Sequence, residues 1–249
     1  MNSDDGSSGP CGQQGTASNR RYKIHRSAFH VRAHAFCVRP VKRLGGRRIC
    51  DMAATGCLNG SEHGMSNKIG IFFGTETGTT RLISKKIYAR LGEEIADKPI
   101  NVNRIEPADM LQYDALILGT PSYGVGQIPG ASAGCLESNW EEFLAKMPNG
   151  DFTGKRVALF GLGAQERYAE RFASSLRRLH DKLQGMGAEL VGDWSTEGYT
   201  FEQSASVVDG RFVGLVIDQR TQGMLTDARL NDWVAQVRPL LLERLGLAA

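Results

Sequence analysis

Ile69-Gly70-Ile71-Phe72-Phe73-Gly74-Thr75-Glu76-Thr77-Gly78-Thr79-Thr80 is the stretch that decides the fold. Its first five residues form a short apolar run that halts at a glycine, as a buried parallel strand does. The next seven lead into a helix carrying Ile83, Ile87 and Leu91 at four-residue spacing. Backbone N–H groups at a helix N-terminus attract anions. Four threonines add hydroxyl donors, and two glycines let the backbone wrap closely. The turn has no Gly-Lys-Ser/Thr ending and no G-x-G-x-x-G, which excludes the two best-known nucleotide loops. Hydroxyls and amides without a cation suit a terminal monophosphate better than a di- or triphosphate. A threonine-rich helix cap with no ligand is the plainer alternative.

Outward from this stretch the pattern alternates. A second strand is expected at Ile100–Ile105, ended by Pro107, and a third at Ala115–Leu118, ended by Gly119. A helix near Ser138–Met147 puts Trp140, Phe143, Leu144 and Met147 on one face. A fourth strand, Val157–Phe160, stops at Gly161, and the next helix carries Phe172, Leu176, Leu179 and Leu183. A fifth strand starts near Glu189. A closing helix aligns Leu230, Trp233, Val234, Val237 and Leu241. Apolar strands joined by helices mean a parallel sheet covered on both faces. The fold class is therefore α/β: a three-layer, doubly wound, five-stranded parallel sheet in the order 2-1-3-4-5. A polar segment, roughly Trp194–Arg211, separates two apolar pieces of the last strand and reads as an insertion within it.

In such a sheet, ligands bind outside the carboxyl ends of the strands, at the switch point of strand order. Two further loops should reach that edge: Thr120-Pro121-Ser122-Tyr123-Gly124-Val125-Gly126, and Gly161-Leu162-Gly163-Ala164-Gln165-Glu166-Arg167-Tyr168. Tyr123 and Tyr168 could sandwich a flat ring, each adding about 1 kcal/mol beyond burial. Either alone reads equally as an ordinary half-buried loop tyrosine. The rest of this region holds one histidine, His180, and one cysteine, Cys135. It shows no nucleophile elbow, Ser-His-Asp set or metal cluster. Catalytic groups and a metal are thus not expected, and the chemistry would belong to a bound cofactor.

Residues 1–67 differ in character. The chain has 249 residues and a net charge of +3, from 30 Lys+Arg and 27 Asp+Glu. Ten of the cations and four of the anions fall before Lys68, leaving twenty and twenty-three from Lys68 onward. The excess of positive charge therefore belongs to the front segment, with Cys11, Cys37, Cys50 and Cys57. That segment lacks any sustained period and is expected to be a disordered basic extension, outside the mature protein if translation starts at Met65. A transit peptide is the other reading of its arginines. His30, His34 and Cys37 have a spacing that metal ligands can show, but no CxxC pair or apolar scaffold accompanies them. No run is long and apolar enough for a transmembrane helix, so membrane insertion is not expected, nor is a nucleic-acid partner.

The quoted motifs resemble flavodoxins from Lys68 to about Leu242. The family's phosphate pattern, Thr/Ser-x-Thr-Gly-x-Thr, stands as Thr75-Glu76-Thr77-Gly78-Thr79-Thr80. Its two flavin loops look like Thr120–Gly124 and Gly161–Gln165 with Tyr168. The interrupted last strand is similar to that of long-chain members. Trp194–Tyr199 and Val208–Leu215 resemble the members that serve nitrogen fixation.

This resemblance implies an FMN cofactor. It assigns Thr75, Glu76, Thr77, Gly78, Thr79 and Thr80 to the ribityl phosphate. Thr120, Pro121, Ser122, Tyr123 and Gly124 form one side of the ring site; Gly161, Leu162, Gly163, Gln165 and Tyr168 form the other. The peptide at Gly124 would turn its carbonyl toward flavin N5 and stabilise the semiquinone, a turn that glycine's tolerance of positive φ makes inexpensive. A cation-free pocket would disfavour the anionic hydroquinone and lower its potential. Ala164 stands where many relatives have Asp, and the net charge of the region after residue 67 is weak for an acidic family. The implied function is a low-potential, monomeric, cytoplasmic one-electron carrier. A reductase would act upstream, with nitrogenase or another low-potential acceptor downstream. An FMN-dependent NAD(P)H:quinone-type reductase and a cofactor-free interaction domain are the alternatives.

Overall fold

The computed structural model describes residues 66–123, 126–147 and 150–248. The basic front segment, with His30, His34, Cys37 and the other early cysteines, lies outside the described residues. So do Gly124 and Val125.

Strand β1 spans Ser66–Phe73, followed by α1 (Thr79–Leu91), β2 (Ile100–Asn101), α2 (Pro107–Leu111) and β3 (Tyr113–Thr120). Then come α3 (Trp140–Ala145), β4 (Arg156–Leu162), α4 (Ser175–Gly185) and β5 (Glu189–Val191). The short strands β6 (Trp194–Ser195), β7 (Val207–Val208) and β8 (Arg211–Phe212) precede β9 (Leu215–Ile217) and α5 (Thr226–Arg244). The main sheet is parallel, in the order β2-β1-β3-β4-β5. Strand β9 also pairs with β4, at Phe160–Leu162, while β5 pairs at Arg156–Ala158. The last strand position is thus filled by two pieces. The segment between them folds back as an antiparallel sheet, β6-β8-β7, so the expected insertion is a structured unit. Strands β7 and β8 join through Asp209-Gly210, with φ of 50° and 78°. Positive φ at both residues is what a tight two-residue hairpin requires.

The central strands bury both faces, and their side chains alternate between two cores. Leu116, Leu118, Val157 and Leu159 face Trp140, Phe143, Leu176 and Leu179 of α3 and α4. Ala115, Ile117, Ala158 and Phe160 face Ile83, Ile87, Trp233 and Leu241 of α1 and α5. That is the three-layer arrangement read from the sequence. Two local features differ. The expected strand Ile100–Ile105 is strand only at Ile100–Asn101; Val102–Arg104 wind into a 3₁₀ turn, where the Asn101 side chain accepts the Asn103 N–H. Pro107 does end that segment, but it also opens α2, capped by a reciprocal Glu106–Asp109 box.

Glycine is required where β3 meets the first loop. The Gly119 carbonyl accepts Gly74 N–H at 3.0 Å and Trp140 Nε1–H at 2.8 Å. A Cβ at residue 119 would sit 2.1 Å from the Phe160 ring. Gly119→Ala is therefore expected to lose about 1–3 kcal/mol by overpacking. Chemical denaturation should show a lower midpoint with an unchanged slope.

Candidate functional site

The loops after β1, β3, β4 and β9 meet at the carboxyl edge of the sheet. In the first, the Thr75 hydroxyl accepts Gly78 N–H at 3.0 Å, so it shapes the turn from within. Gly78 has φ 87° and turns the chain into α1. Helix α1 has no side-chain cap and no acidic residue in its first turn. Its leading N–H groups and the positive end of its dipole are left for an outside anion. The Thr80 hydroxyl, on a side chain only 1% exposed, has no hydrogen-bond partner among the described residues. Burying a hydroxyl that way is unfavourable unless something else completes it.

Glu76 turns away from that helix end. Its carboxylate accepts Leu136 N–H at 3.0 Å and lies beside the Tyr123 hydroxyl. These two groups, Tyr123 first, hold its pKa below the usual carboxylate range. Burial, and then the Glu76 contact, push the Tyr123 hydroxyl above its ordinary value, so at neutral pH a tyrosine O–H meets a carboxylate.

The second loop is tied down at several points. Thr120 is buried, its hydroxyl donating to the Pro121 carbonyl at 3.1 Å. The Ser122 hydroxyl donates to the Leu162 carbonyl at 2.7 Å, locking the second loop to the third. Gly126 N–H closes a turn on the Tyr123 carbonyl at 3.0 Å.

In the third loop, Gly161 completes β4 against Leu176, and Gly163 lies where a Cβ would be 2.4 Å from the Phe172 ring. Gln165 is buried and points inward: its N–H donates to Asp218 Oδ2 at 2.9 Å, and its Oε1 accepts Thr200 N–H at 3.0 Å. Tyr168 is flanked by the guanidiniums of Arg167 and Arg171, each 5.3 Å from its ring centroid.

The fourth loop escaped the sequence reading. Asp218, 0% exposed, accepts N–H groups from Gln165, Arg220 and Thr221 and the Thr221 hydroxyl. Four donors compensate a buried carboxylate and fix the backbone that carries Gln219 and Arg220.

Together these loops wall a cavity of about 320 Å³. Thr77 and Thr79 line it with Pro121, Ser122 and Tyr123. Leu162, Gly163 and Tyr168 also line it, with Ala164 among them. Thr75, Glu76, Gly78, Thr80, Thr120, Gly161 and Gln165 are not in its wall; they shape or back it. The expectation of a cation-free pocket is overturned, because Arg167 and Arg220 are both in the lining. Arg167 lies in the third loop, directly before Tyr168. Arg220 could have been found by applying the carboxyl-edge rule to the fifth strand as well. His180 sits on α4 beside Asp181, and lines a separate depression with Gly192 and Arg211. No group of three or more His, Cys, Asp or Glu among the described residues could hold a metal. No described helix is long and apolar enough to cross a membrane.

The flavodoxin family profile matches residues 71–233, which span all four loops. The chain belongs to the flavodoxin family. A Klebsiella pneumoniae flavodoxin is 47% identical over 174 residues, covering 70% of this chain and 98% of that protein. A Synechocystis flavodoxin is 38% identical over the same length, again covering 98% of its own chain. Among solved structures, a Fusobacterium nucleatum flavodoxin mutant bound to flavin mononucleotide aligns with TM-score 0.62 and 36% identity. That alignment covers 70% of this chain and 96% of the other. The flavodoxin fold thus accounts for the parallel sheet, and the small sheet β6-β8-β7 fits an insertion in its last strand.

Proposed function

We propose that the protein carries single electrons on FMN held at this carboxyl edge. The unpartnered, buried Thr80 hydroxyl beside the uncapped start of α1 is the observation that carries the reading. It is what a phosphate would complete, and the cavity next to it is walled by two tyrosines. Thr77, Thr79 and Thr80, with the leading amides of α1, would hold the phosphate. Tyr123 and Tyr168 would flank the ring, Tyr123 with its hydroxyl beside Glu76 and Tyr168 held by the turn that its N–H closes on the Ala164 carbonyl at 2.9 Å. Ser122 would fix the spacing between the two ring loops. FMN supplies the one-electron redox chemistry when bound. The chain supplies binding, orientation and partial exclusion of water.

We assign the upstream donor to a reductase and the downstream acceptor to nitrogenase or another low-potential protein. The protein acts in this reading as a cytoplasmic monomer. Apoprotein titrated with FMN should quench flavin fluorescence at one equivalent, and the complex should then accept electrons in two separated single-electron steps. Absence of binding overturns the reading. Turnover of NAD(P)H with a quinone, without added reductase, would replace it with a reductase.

We also assign the whole activity to the region from Ser66 onward, since relatives covered to 98% of their own length align with 70% of this chain. Removal of residues 1–64 is expected to leave the FMN dissociation constant and the melting temperature unchanged. A large drop in either, by calorimetry and fluorescence titration, would make the front segment structural.

A further inference from the structure

The cavity lining holds two guanidiniums, Arg167 and Arg220, and no carboxylate. Ala164 and Gln219, beside them, are neutral. Arg167 stands next to Tyr168, at the ring end of the cavity. Arg220 comes from the loop that Asp218 fixes. Neither arginine forms an ion pair with a described residue. Arg167 also lines a neighbouring depression with Glu166, Glu170 and Glu202, which offset part of its charge, whereas Asp218, near Arg220 in sequence, is buried and engaged by its own donors.

We propose that Arg167 and Arg220 tune the second electron step, by favouring the anionic form of the bound ring over its neutral forms. This rests on the FMN reading above. In the first step a one-electron donor protein gives one electron and solvent gives one proton, so the ring stays neutral. In the second step the donor gives another electron and no proton follows, so the ring gains one negative charge. Each step oxidises one donor molecule by one electron. Both side chains are exposed, so their attraction for that new charge is moderate and screened by salt, yet it acts in the step that creates the charge. They have little effect on the first step, which creates no charge. The phosphate keeps one charge state throughout, so its attraction to the same arginines cancels between oxidation states. The two residues therefore oppose the tendency of an apolar pocket to reject the fully reduced ring.

The test uses the full-length, FMN-loaded protein and its Arg167→Gln, Arg220→Gln and double variants. Both potentials are measured by dye-coupled redox titration at low and high salt. Affinities of the oxidised apoproteins for FMN and riboflavin are measured by fluorescence quenching. In the double variant the fully reduced form should bind about tenfold more weakly relative to the one-electron form, equivalent to about 59 mV more negative in the second step. The first step should stay in place, and the difference from the parent should shrink at high salt. The Lys variants of both residues should keep the parental second step, which separates charge from packing. Equal movement of both steps, or movement of neither, overturns the proposal. So does a loss confined to FMN over riboflavin with both potentials unmoved, because the arginines would then serve the phosphate. Failure of the parent to bind FMN would instead overturn the functional reading beneath it.

Discussion

Asp218→Ala is expected to lower the stability of the apoprotein by about 3 kcal/mol, roughly two orders of magnitude in the folding equilibrium. The carboxylate is 0% exposed and accepts from Gln165 N–H at 2.9 Å, from Arg220 and Thr221 N–H at 3.0 Å each, and from the Thr221 hydroxyl. Alanine removes the acceptor and leaves three backbone donors. Each donor left unpaired in the interior costs about 1–3 kcal/mol, and water entering the vacated space recovers part of that. The same change frees two loops that wall the cavity, so FMN affinity should fall as well. Asp218→Asn keeps the shape but converts one acceptor into an NH₂ group that must face an existing donor. It should lie between Asp218→Ala and the parent. Urea denaturation and FMN titration measure both effects. Parental stability in Asp218→Ala would mean that this carboxylate does not organise the edge.

Thr80→Val is expected to move stability and binding in opposite directions. In the apoprotein the Thr80 hydroxyl is buried without a partner. Replacing it with a methyl of similar shape removes a desolvated polar group, so the apoprotein should become more stable by up to about 1 kcal/mol. In the proposed complex that hydroxyl would donate to a charged phosphate oxygen. Its loss should weaken FMN by about 1–3 kcal/mol, roughly five- to 150-fold. Pairing it with Thr77→Ala should deepen the loss. Riboflavin, which has no phosphate, should bind parent and variants alike. A Thr80→Val protein that binds FMN at parental strength would remove this residue from the phosphate site.

How much of this was readable beforehand depended on whether the signal was local. β1, β3 and β4 stood out because each is a continuous apolar run ended by glycine or a Gly-containing turn, and a strand buried on both faces has no other pattern available. The insertion was visible because a polar stretch cut one such run in two. The expected strand at Ile100–Ile105 was too long because alternation alone cannot show that the Asn101 side chain captures the Asn103 amide. Helix α2 is hard to see in the sequence because Pro107 reads as a stop, although Glu106 and Asp109 flank it as a cap.

The site divides in the same way. Loop membership was legible from glycine, threonine and tyrosine content. Side-chain direction was not, since a partner distant in sequence decides it. Glu76 turns to Leu136 and Tyr123; Gln165 turns to Thr200 and its backbone to Asp218. The Asp218–Thr221 loop has neither glycine nor an aromatic residue, so nothing in its composition marked it. Its contribution to the cavity is charge, which only proximity reveals.

The hairpin turn at Asp209-Gly210 has a consequence for how the chain can lengthen. Both residues are exposed, and nothing lies within 4 Å of the Cβ position of Gly210. The turn belongs to the small sheet rather than to any loop of the cavity. Loop-closure entropy rises only logarithmically, about 0.6 kcal/mol for each doubling of the excursion between β5 and β9. Added sequence at this tip therefore weighs little on the folding balance, provided β7 and β8 still meet. The parallel sheet counts the last strand as complete wherever its two halves find β4. The tip is thus the place where evolution or an engineer can splice in a new module and leave the redox edge untouched.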